Sequence, residues 1–354
     1  MKGKTDICIM TSVHPRDDAR IYRRQAVTLA RSSSVLLLAP DKAEGRDARG
    51  VLHKRVAVPK GRAARIGMGW LPCLVAALKS RAPVCIFHDP ELLPAGLLLK
   101  LWGRRVVMDL HEQLHLQIMT KPWIAEGIKP AVSRAAKGAV RLAAKVFDLV
   151  LTATPAINRD IGGGGLVVRN FPVAEEYAGL PTGAGRDTCY IGTVSVKRGS
   201  AVMAEAARLA GVTLHIAGEV EDGASKEIIA KGRREGRIKY YGRLRSKELL
   251  QLKKRCSSGL CLLSSAGGYP LSLPIKLFEY LAMGLEPVAT DIPYWRQLTQ
   301  NCSEVHFVKE GDAAAAAEQI KGCIGIKEER RRELLKKFCW EGEGRRLTEA
   351  IKRL

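Results

Sequence analysis

One stretch in the last third of the chain, residues 262–291, restricts the possible folds more than any other part of the sequence. It reads LLSSAGGYPLSLPIKLFEYLAMGLEPVATD. An apolar run leads through a small, Gly-rich loop into a helix pattern at 275–283, and a strand pattern follows at 287–290. Ser272 is predicted to cap the start of this helix, and Gly284 to close its end in the left-handed conformation. This order of elements is typical of α/β proteins with parallel sheets.

The same stretch predicts an anion-binding site. The unpaired N–H groups of a helix's first turn carry partial positive charge, and Lys276 adds a full charge there. Glu279 lies three residues further on and therefore shares a helix face with Lys276. A cation for phosphates and a carboxylate for hydroxyl groups suit a nucleotide diphosphate with its ribose. From these residues alone, an ordinary surface Lys–Glu pair remains an equal alternative.

The segment PIKLFEYLAMGLEPVATD resembles the donor-binding segment of family 4 glycosyltransferases, enzymes of the GT-B fold. The resemblance implies that Glu279 holds the donor ribose. It also implies that the loop with Gly267 and Gly268, together with Ser272, holds the diphosphate and the sugar. Many family members carry a Glu where Leu271 stands, and Leu cannot accept a hydrogen bond. Recognition of the hexose would then depend on backbone groups of residues 267–272 or on another residue.

A second Gly-rich turn, residues 192–199, follows a strand pattern at 188–191. Gly192 is predicted to lie against phosphate, and Lys197 or Arg198 to neutralise the diphosphate. Family members often carry an Arg where Thr193 stands, so one expected positive charge is missing. The charge that develops on the departing phosphate would be stabilised by Lys276, by Lys197 or Arg198, and by the N–H groups of the helix start.

The first half of the chain alternates strand patterns at 6–10, 35–39, 84–88, 105–110 and 148–152 with helix patterns at 19–31, 92–102 and 129–147. In parallel sheets, ligands bind beyond the carboxyl ends of the strands. The segments SVHPRDDARIYRRQ and FHDPELLPAGLLLKLWGRRVVMDLHE also resemble the family, whose acceptor contacts lie at such strand ends. The candidate residues on the acceptor side are His14, Asp18, Arg20, His88 and Glu112.

His111 follows the strand at 105–110 and is a candidate catalytic group that would touch the transferred sugar or the acceptor. A histidine at a strand end is more often structural, so that alternative stays open. Helix capping by Asp17 or Asp18 is likewise an alternative to acceptor binding for the loop at 11–18.

The predicted fold is therefore of the α/β class, with two Rossmann-like parallel-sheet domains facing a central cleft in the GT-B arrangement. Residues 1–175 are predicted to form the acceptor-binding domain and 176–187 the hinge. Residues 188–335 are predicted to form the nucleotide-sugar domain. The last segment, 336–354, is predicted to be a helix that crosses back to the first domain.

The charge distribution favours a negatively charged partner. Net charge is +22, and residues 1–175 contain 28 Lys or Arg against 14 Asp or Glu. Residues 60–72 place Lys60, Arg62 and Arg65 before Trp70, within a segment at 54–83 that is predicted to be irregular and then helical. Residues 129–147 place a basic stripe on a helix. Both patterns suit an anionic membrane surface. A loop that covers the core and a solvated helix face remain the alternatives.

The composition also limits the setting of the protein. The nine Cys are scattered without a C-x-x-C pair, which suits reduced thiols better than disulfides or a zinc site. The N-terminus lacks a signal-peptide pattern, and no apolar stretch reaches the length of a membrane span. We expect a cytoplasmic protein, and peripheral association with the cytoplasmic face of the membrane is a further option.

The function predicted is that of a retaining glycosyltransferase of the hexosyltransferase type. It would move a sugar from a nucleotide-diphosphate sugar to a glycan or lipid-linked acceptor in polysaccharide or glycoconjugate biosynthesis. No D-x-D motif occupies a suitable site, so no metal and no cofactor are expected. The alternatives are a nucleotide-sugar epimerase of the GT-B fold and a non-catalytic protein that binds glycans or anionic surfaces. A nucleic-acid partner is suggested only by the charge and is not expected.

Overall fold

The computed structural model of the protein describes residues 4–42, 44–59, 61–179, 185–244, 246–264 and 271–354. It divides into two compact units, each with its own parallel sheet. The N-terminal unit consists of Met1–Asn170 and Trp340–Leu354, and the C-terminal unit of Phe171–Cys339. Part of the predicted hinge, residues 180–184, lies outside the described residues.

The sheet of the N-terminal unit contains eight strands among the described residues. The strands are β1 (Ile7–Met10), β2 (Val35–Ala39), β3 (Gly45–Arg46), β4 (Leu52–Arg55), β5 (Val84–Phe87), β6 (Arg105–Leu110), β7 (Leu149–Thr152) and β8 (Leu166–Val167). Their spatial order is β3-β4-β2-β1-β5-β6-β7-β8, and all pairs are parallel except β3 with β4. Strand β1 is central, because Ile7 pairs with Val35 on one side and Val84 on the other. The short strands β3, β4 and β8 were not predicted.

The helices of this unit are α1 (Val27–Ala30), α2 (Arg62–Met68), α3 (Trp70–Ser80), α4 (Leu93–Leu101), α5 (Leu114–Thr120), α6 (Lys129–Val146), α7 (Pro155–Asp160) and α16 (Trp340–Lys352). Helices α3, α4 and the end of α6 pack on one face of the sheet around a common apolar core. Gly96 of α4 permits this packing, since a Cβ there would lie 2.7 Å from Phe87 and 3.1 Å from Phe147. Helix α16 joins the unit through the Trp340 indole N–H, which donates to Thr28 Oγ1 at 2.7 Å.

One local prediction in this unit needs correction. The helix expected at 19–31 begins as a π-helical segment, Ala19–Ala26, in which the N–H groups of Tyr22 and Arg23 both donate to the Asp18 carbonyl at 3.1 Å. The segment at 54–83, predicted to be irregular and then helical, is helical from Arg62. Gly69 lets α2 continue closely into α3, because a Cβ there would lie 2.4 Å from the Arg65 carbonyl oxygen.

The sheet of the C-terminal unit contains six described strands, all of them parallel. They are β9 (Asp187–Ile191), β10 (Leu214–Ala217), β11 (Ile238–Tyr240), β12 (Cys256–Cys261), β13 (Glu286–Thr290) and β14 (His306–Val308). The spatial order is β11-β10-β9-β12-β13-β14. The chain therefore leaves β9 toward one edge and β12 toward the other. Such a reversal of strand order marks the usual ligand-binding position of an open α/β sheet.

The helices of this unit are α8 (Ala174–Tyr177), α9 (Ser200–Ala210), α10 (Gly223–Arg234), α11 (Ser246–Lys253), α12 (Ile275–Met283), α13 (Pro293–Leu298), α14 (Ala313–Gly322) and α15 (Glu328–Lys337). Helix α12 has the predicted bounds, and Gly284 ends it with a φ of 81° as predicted. The capping prediction is wrong: Pro274 occupies the N-cap position and no side chain caps the helix. Tyr280 fixes α12 to the sheet, because its hydroxyl accepts from the Ile191 N–H at 3.0 Å and its ring covers Gly259.

Candidate functional site

The carboxyl ends of β9 and β10 approach each other closely at two glycines. Gly192 has a φ of 141° and Gly218 a φ of 148°. The N–H of Gly192 donates to the Ala217 carbonyl at 2.8 Å. A Cβ on Gly218 would lie 2.0 Å from the Gly192 carbonyl oxygen, so only glycine fits there. The two strand ends thus form a tight, side-chain-free floor at the point where the strand order reverses.

Lys276 lies directly on this floor. A Cβ on Gly192 would be 2.4 Å from Lys276 Cε and 2.7 Å from its Nζ, and the ammonium also lies 5.5 Å from the centre of the Tyr190 ring. Because Lys276 belongs to the first turn of α12, the helix N-terminus and the ammonium act on the same region. Burial lowers the pKa of Lys276, and the charge of Arg198 lowers it further.

Arg198 reaches the same region from the turn after β9. Residues Val196–Arg198 form a single 3-10 turn that ends at Gly199, with a φ of 82°. A Cβ on Gly199 would lie 2.0 Å from the Leu262 carbonyl oxygen, so this turn touches the end of β12. The Nε of Arg198 is buried and has no hydrogen-bond partner among the described residues. Two cations, Lys276 and Arg198, are therefore held close together where an anionic ligand would relieve their repulsion.

Five more donor-side residues were predicted, and the structure describes three of them. Glu279 is half-buried on α12 and close enough to act on the pKa of Lys276 and Cys261. Lys197 is exposed, and its carbonyl accepts from the Ser264 N–H at 3.1 Å. Ser272 is half-buried, and its carbonyl accepts from the Trp295 indole at 3.1 Å. Gly267 and Gly268 lie outside the described residues.

A small cavity adjoins this cluster at the ends of β9, β10 and β11. Its volume is about 230 Å³, and its lining includes Gly192, Thr193, Glu219 and Arg243. Arg243 forms an exposed ion pair of 3.2 Å with Glu219. The cavity lies beside the two cations, as a base next to its diphosphate would require.

In the N-terminal unit, His14 lies between two carboxylates beyond the end of β1. Its Nδ1 is 3.4 Å from Asp18 Oδ2, and its Nε2 is 3.4 Å from Asp89 Oδ1. The hydrogen bond with Asp18 raises the pKa of His14. Asp18 also caps the π-helical segment by accepting from the N–H groups of Arg20 and Ile21. It therefore performs the capping role that the sequence left open.

His111 is the neighbour of His14, with ring centroids 5.3 Å apart in an edge-to-face arrangement. Burial lowers the pKa of His111 to about 4. Its Nδ1 is buried and has no hydrogen-bond partner in the described ranges. At neutral pH, the His111 imidazole is therefore uncharged, and its Nδ1 makes no hydrogen bond within the described ranges.

We expect these two histidines to titrate far apart. In an NMR titration, the His111 imidazole should have its midpoint near pH 4, whereas His14 should titrate above the ordinary value of about 6.5. The unfolded chain binds a proton at His111 more readily than the folded chain does. The free energy of unfolding should therefore decrease as pH falls from about 6.5 toward 4. An ordinary midpoint for both rings would contradict the burial of His111 and the pairing of His14.

Arg20 and His88 lie inside the unit around Asp109. The carboxylate of Asp109 accepts from Arg20 Nε at 2.7 Å and Nη2 at 2.6 Å, and His88 Nδ1 is 2.8 Å away. The side chain of Arg20 is 5% exposed and that of Asp109 0%. Arg20 Nη1 also donates to Asn170 Oδ1 at 2.7 Å. The guanidinium is thus occupied within the fold, and Arg20 does not line the large cavity described next.

A cavity of about 680 Å³ lies within the N-terminal unit, at the carboxyl ends of β1, β5 and β6. One part of its lining consists of His14, His88, His111 and the exposed Glu112. The other part includes residues from α5, α6 and α7. Four predicted residues, three of them from the acceptor side, are therefore brought to one cavity. Asp89, which fixes the loop after β1 by accepting from Thr11 Oγ1 at 2.7 Å, was missed. Its position directly after the β5 strand pattern was the available signal.

Two groups offer possible metal ligands within 4.8 Å of one another among the described residues. In the first, His88, Asp109 and His111, the Asp109 oxygens already accept from Arg20, whose charge opposes a cation. In the second, Glu286 is 2.7 Å from His306 and accepts hydrogen bonds from two backbone N–H groups. The Cys323 thiol donates to the Gln319 carbonyl. In each cluster the carboxylate is therefore already engaged by other groups of the fold. Among the described residues, no helix is long and apolar enough to cross a bilayer.

Residues 185–325 match the family model of group 1 glycosyl transferases. This range contains the Gly192, Arg198 and Lys276 cluster. The match covers less than half of the chain. The prediction of a glycosyltransferase enzyme is thereby confirmed. No curated protein matches the chain.

Solved structures resemble the whole chain. HepE of Anabaena, in complex with UDP and glucose, has a TM-score of 0.67 at 16% identity, over 99% of this chain and 100% of that chain. Sucrose-phosphate synthase of Thermosynechococcus elongatus has a TM-score of 0.71 at 12% identity, over 98% of both chains. The catalytic domain of Arabidopsis thaliana starch synthase IV, bound to ADP and acarbose, has a TM-score of 0.65 at 10% identity, over 99% of both chains. The prediction of two parallel-sheet α/β domains of the GT-B type is confirmed.

Proposed function

We propose that the protein is a retaining glycosyltransferase of family 4 that moves a sugar from a nucleotide-diphosphate sugar to a glycan or lipid-linked acceptor. The observation that carries the proposal is the pairing of two cations, Lys276 and Arg198, over the Gly192 floor at the reversal of strand order. Two phosphates placed there would meet both charges and the N-terminus of α12. The structural neighbours bound to UDP or ADP support this donor class.

In this proposal, the chain's own residues stabilise the leaving group. Lys276 and Arg198 would interact with the charge that grows on the departing diphosphate, in a partly buried site where such interactions are strong. Glu279 would accept hydrogen bonds from the ribose. The incoming hydroxyl would lose its proton to a donor phosphate oxygen, without a protein nucleophile. Turnover in the presence of EDTA would test the expectation that no metal takes part.

The donor is best identified by a thermal-shift series with UDP, GDP and ADP sugars. One nucleotide class should raise the melting temperature, since a ligand bound only to the folded state adds about 2.7 kcal/mol at 100 times its Kd. Incubation with the donor alone should yield no epimer, and the product of transfer should keep the donor's anomeric configuration in its NMR coupling constants. No shift with any of the three classes would contradict the proposal.

Replacing Gly192 with Ala should abolish binding of the nucleotide. The new Cβ would lie 2.4 Å from Lys276 Cε and would force the ammonium off the floor. Gly211→Ala is the matched control, because Gly211 also has a positive φ, 71°, but has nothing within 4 Å of the added Cβ. Titration calorimetry should show at least a tenfold weaker affinity for Gly192→Ala than for Gly211→Ala. Equal affinities would mean that Lys276 does not touch the phosphates.

We further propose that the N-terminal unit rests on the anionic cytoplasmic surface of a membrane. Residues 61–147 contain 13 Lys or Arg against 5 Asp or Glu. At the ends of α4 and α6, Leu101 is 82% exposed, Trp102 59% and Leu142 67%. Cations beside exposed Trp and Leu are typical of segments that lie at the boundary between headgroups and acyl chains.

This membrane proposal is tested by sedimentation with vesicles. The double variant L101S/W102S should bind vesicles of phosphatidylserine and phosphatidylcholine less than the wild type, while binding to pure phosphatidylcholine should be weak for both. Ile324→Ser is the control, since Ile324 is 81% exposed but belongs to the C-terminal unit. Equal binding by the double variant and the wild type would exclude this surface as the contact.

A further inference from the structure

The 680 Å³ cavity of the N-terminal unit is large enough for a whole ligand group, and its lining is divided. The polar part is formed by His14, His111 and their neighbours at the ends of the strands. The remainder is mostly aliphatic and comes from α2, α4, α5, α6, α7, the end of β6 and the adjoining loops, with the polar Gln113, His115 and Gln117 among its residues. These aliphatic residues include Leu93, Leu110, Ile118, Val140, Ile157 and Ile161.

A carbohydrate acceptor does not suit the aliphatic part. Each sugar hydroxyl placed against such a wall would lose its bond to water without gaining a partner, which disfavours binding. Hydrocarbon gains free energy on entering the same space, because both surfaces leave water. The wall therefore matches an apolar chain better than a second sugar ring.

The charged side chains on the wall offer no site for a charged ligand. Arg65 Nε is 2.8 Å from Glu91 Oε1, and Lys137 Nζ is 2.8 Å from Asp160 Oδ1. The Glu112 carboxylate accepts from the Gln117 amide. Arg65 and Lys137 are thus each paired with a carboxylate of the same wall, which favours an uncharged ligand group in the aliphatic part.

The mouth of the cavity is apolar and exposed. Among its lining residues, Ile66, Trp123 and Val132 are exposed to solvent. Lys121 lies over the Trp123 ring at 5.2 Å. An exposed indole with a lysine is typical of the boundary between a membrane and water. A hydrocarbon chain could enter here from a bilayer without crossing a polar barrier.

We infer that this cavity holds the hydrocarbon chain of a lipid-linked acceptor, with the acceptor's polar head at His14 and His111. The inference rests on the proposed function and narrows its acceptor class from glycan or lipid to lipid. The aliphatic wall would hold the chain, and the polar end would orient the hydroxyl that receives the sugar.

The test uses two soluble probes, dodecyl maltoside below its micelle concentration and methyl maltoside, with titration calorimetry on the whole protein. Wild type should bind the dodecyl probe at least tenfold more tightly than the methyl probe, with a negative heat-capacity change. Ala136→Phe would fill the cavity and should remove this preference. Ala135→Phe is the matched control, because Ala135 is exposed on the same helix and does not line the cavity. Equal binding of the two probes by wild type, or equal binding of the dodecyl probe by the two variants, would overturn the inference.

Separate measurements distinguish this inference from the proposed function. Nucleotide binding, which involves the C-terminal unit, should be the same in Ala136→Phe and wild type. If neither the wild type nor the variants bind a nucleotide, the donor proposal would be contradicted. The conclusion about the cavity would not be affected. Vesicle sedimentation should also be unchanged in Ala136→Phe, and a loss there would mean that the phenylalanine acts on the membrane surface and not in the cavity.

Discussion

Replacing Lys276 with Met is expected to lower turnover by about 10²–10³-fold, the usual effect of removing one preorganised donor from a developing negative charge. Methionine keeps much of the aliphatic stem that packs on Gly192 and Tyr190, so the local packing should survive. Because burial and the charge of Arg198 both disfavour the Lys276 ammonium, the variant should be at least as stable as the wild type. Stability and turnover should therefore change independently.

Steady-state kinetics with the donor found by thermal shift, together with thermal melting, measure both effects. Lys226→Met is the control, since Lys226 is exposed on α10 of the same unit and should change neither. Lys276→Arg keeps the charge but not the compact ammonium, and should recover only part of the turnover. Wild-type turnover in Lys276→Met would remove Lys276 from the mechanism, and a large loss of stability would make its role structural.

The second large effect concerns folding. Arg20→Met should destabilise the N-terminal unit by about 3–5 kcal/mol, because it leaves the buried Asp109 carboxylate without its cation. Gln25 Nε2, at 2.8 Å, and His88 would be its remaining partners. Arg16→Met is the control, because the Arg16 side chain is exposed and its ion pair with Asp41, at 3.8 Å, is long and accessible to solvent. Urea unfolding followed by circular dichroism measures the difference.

The pH dependence gives this prediction a sign. Burial alone would raise the pKa of Asp109, but Arg20 and His88 outweigh it and hold the pKa well below the ordinary value. In the wild type, this carboxylate therefore stabilises the fold above about pH 4, the unfolded value, and the contribution is lost as pH falls below it. In Arg20→Met, burial should raise the pKa of Asp109, so that stability is lost as pH rises above about 4.

The double variant R20M/D109N provides the decisive comparison. It removes the stranded charge, so it should be more stable at neutral pH than Arg20→Met alone and should lack the reversed pH dependence. If the double variant were as unstable as the single one at every pH, lost packing of Arg20 would explain the effect, and the ion pair would not.

Local sequence was sufficient for the features that depend on neighbouring residues. The bounds of α12, its close at Gly284 and most strands of both sheets follow from apolar periodicity and from glycine's access to a positive φ, which act within a few residues. The capping prediction for Ser272 failed on the same scale, because Pro274 itself occupies the cap position and displaces the serine from it.

Tertiary structure decided which of the predicted residues meet. Lys276 and Gly192 are far apart in the sequence, and only the pairing of β9 with β12 brings the ammonium onto the glycine floor. Arg20 was predicted to bind the acceptor, whereas the fold places it against Asp109. The sequence identified Asp109 only as part of the strand at 105–110 and gave no sign of this partner. The cavity beside His111 was likewise not predicted from the sequence, since its lining comes from five helices, α2, α4, α5, α6 and α7, and from the strand ends beside them. Periodicity tells which side of an element is apolar, but the distance between two side chains depends on the packing of elements that the sequence does not order in space.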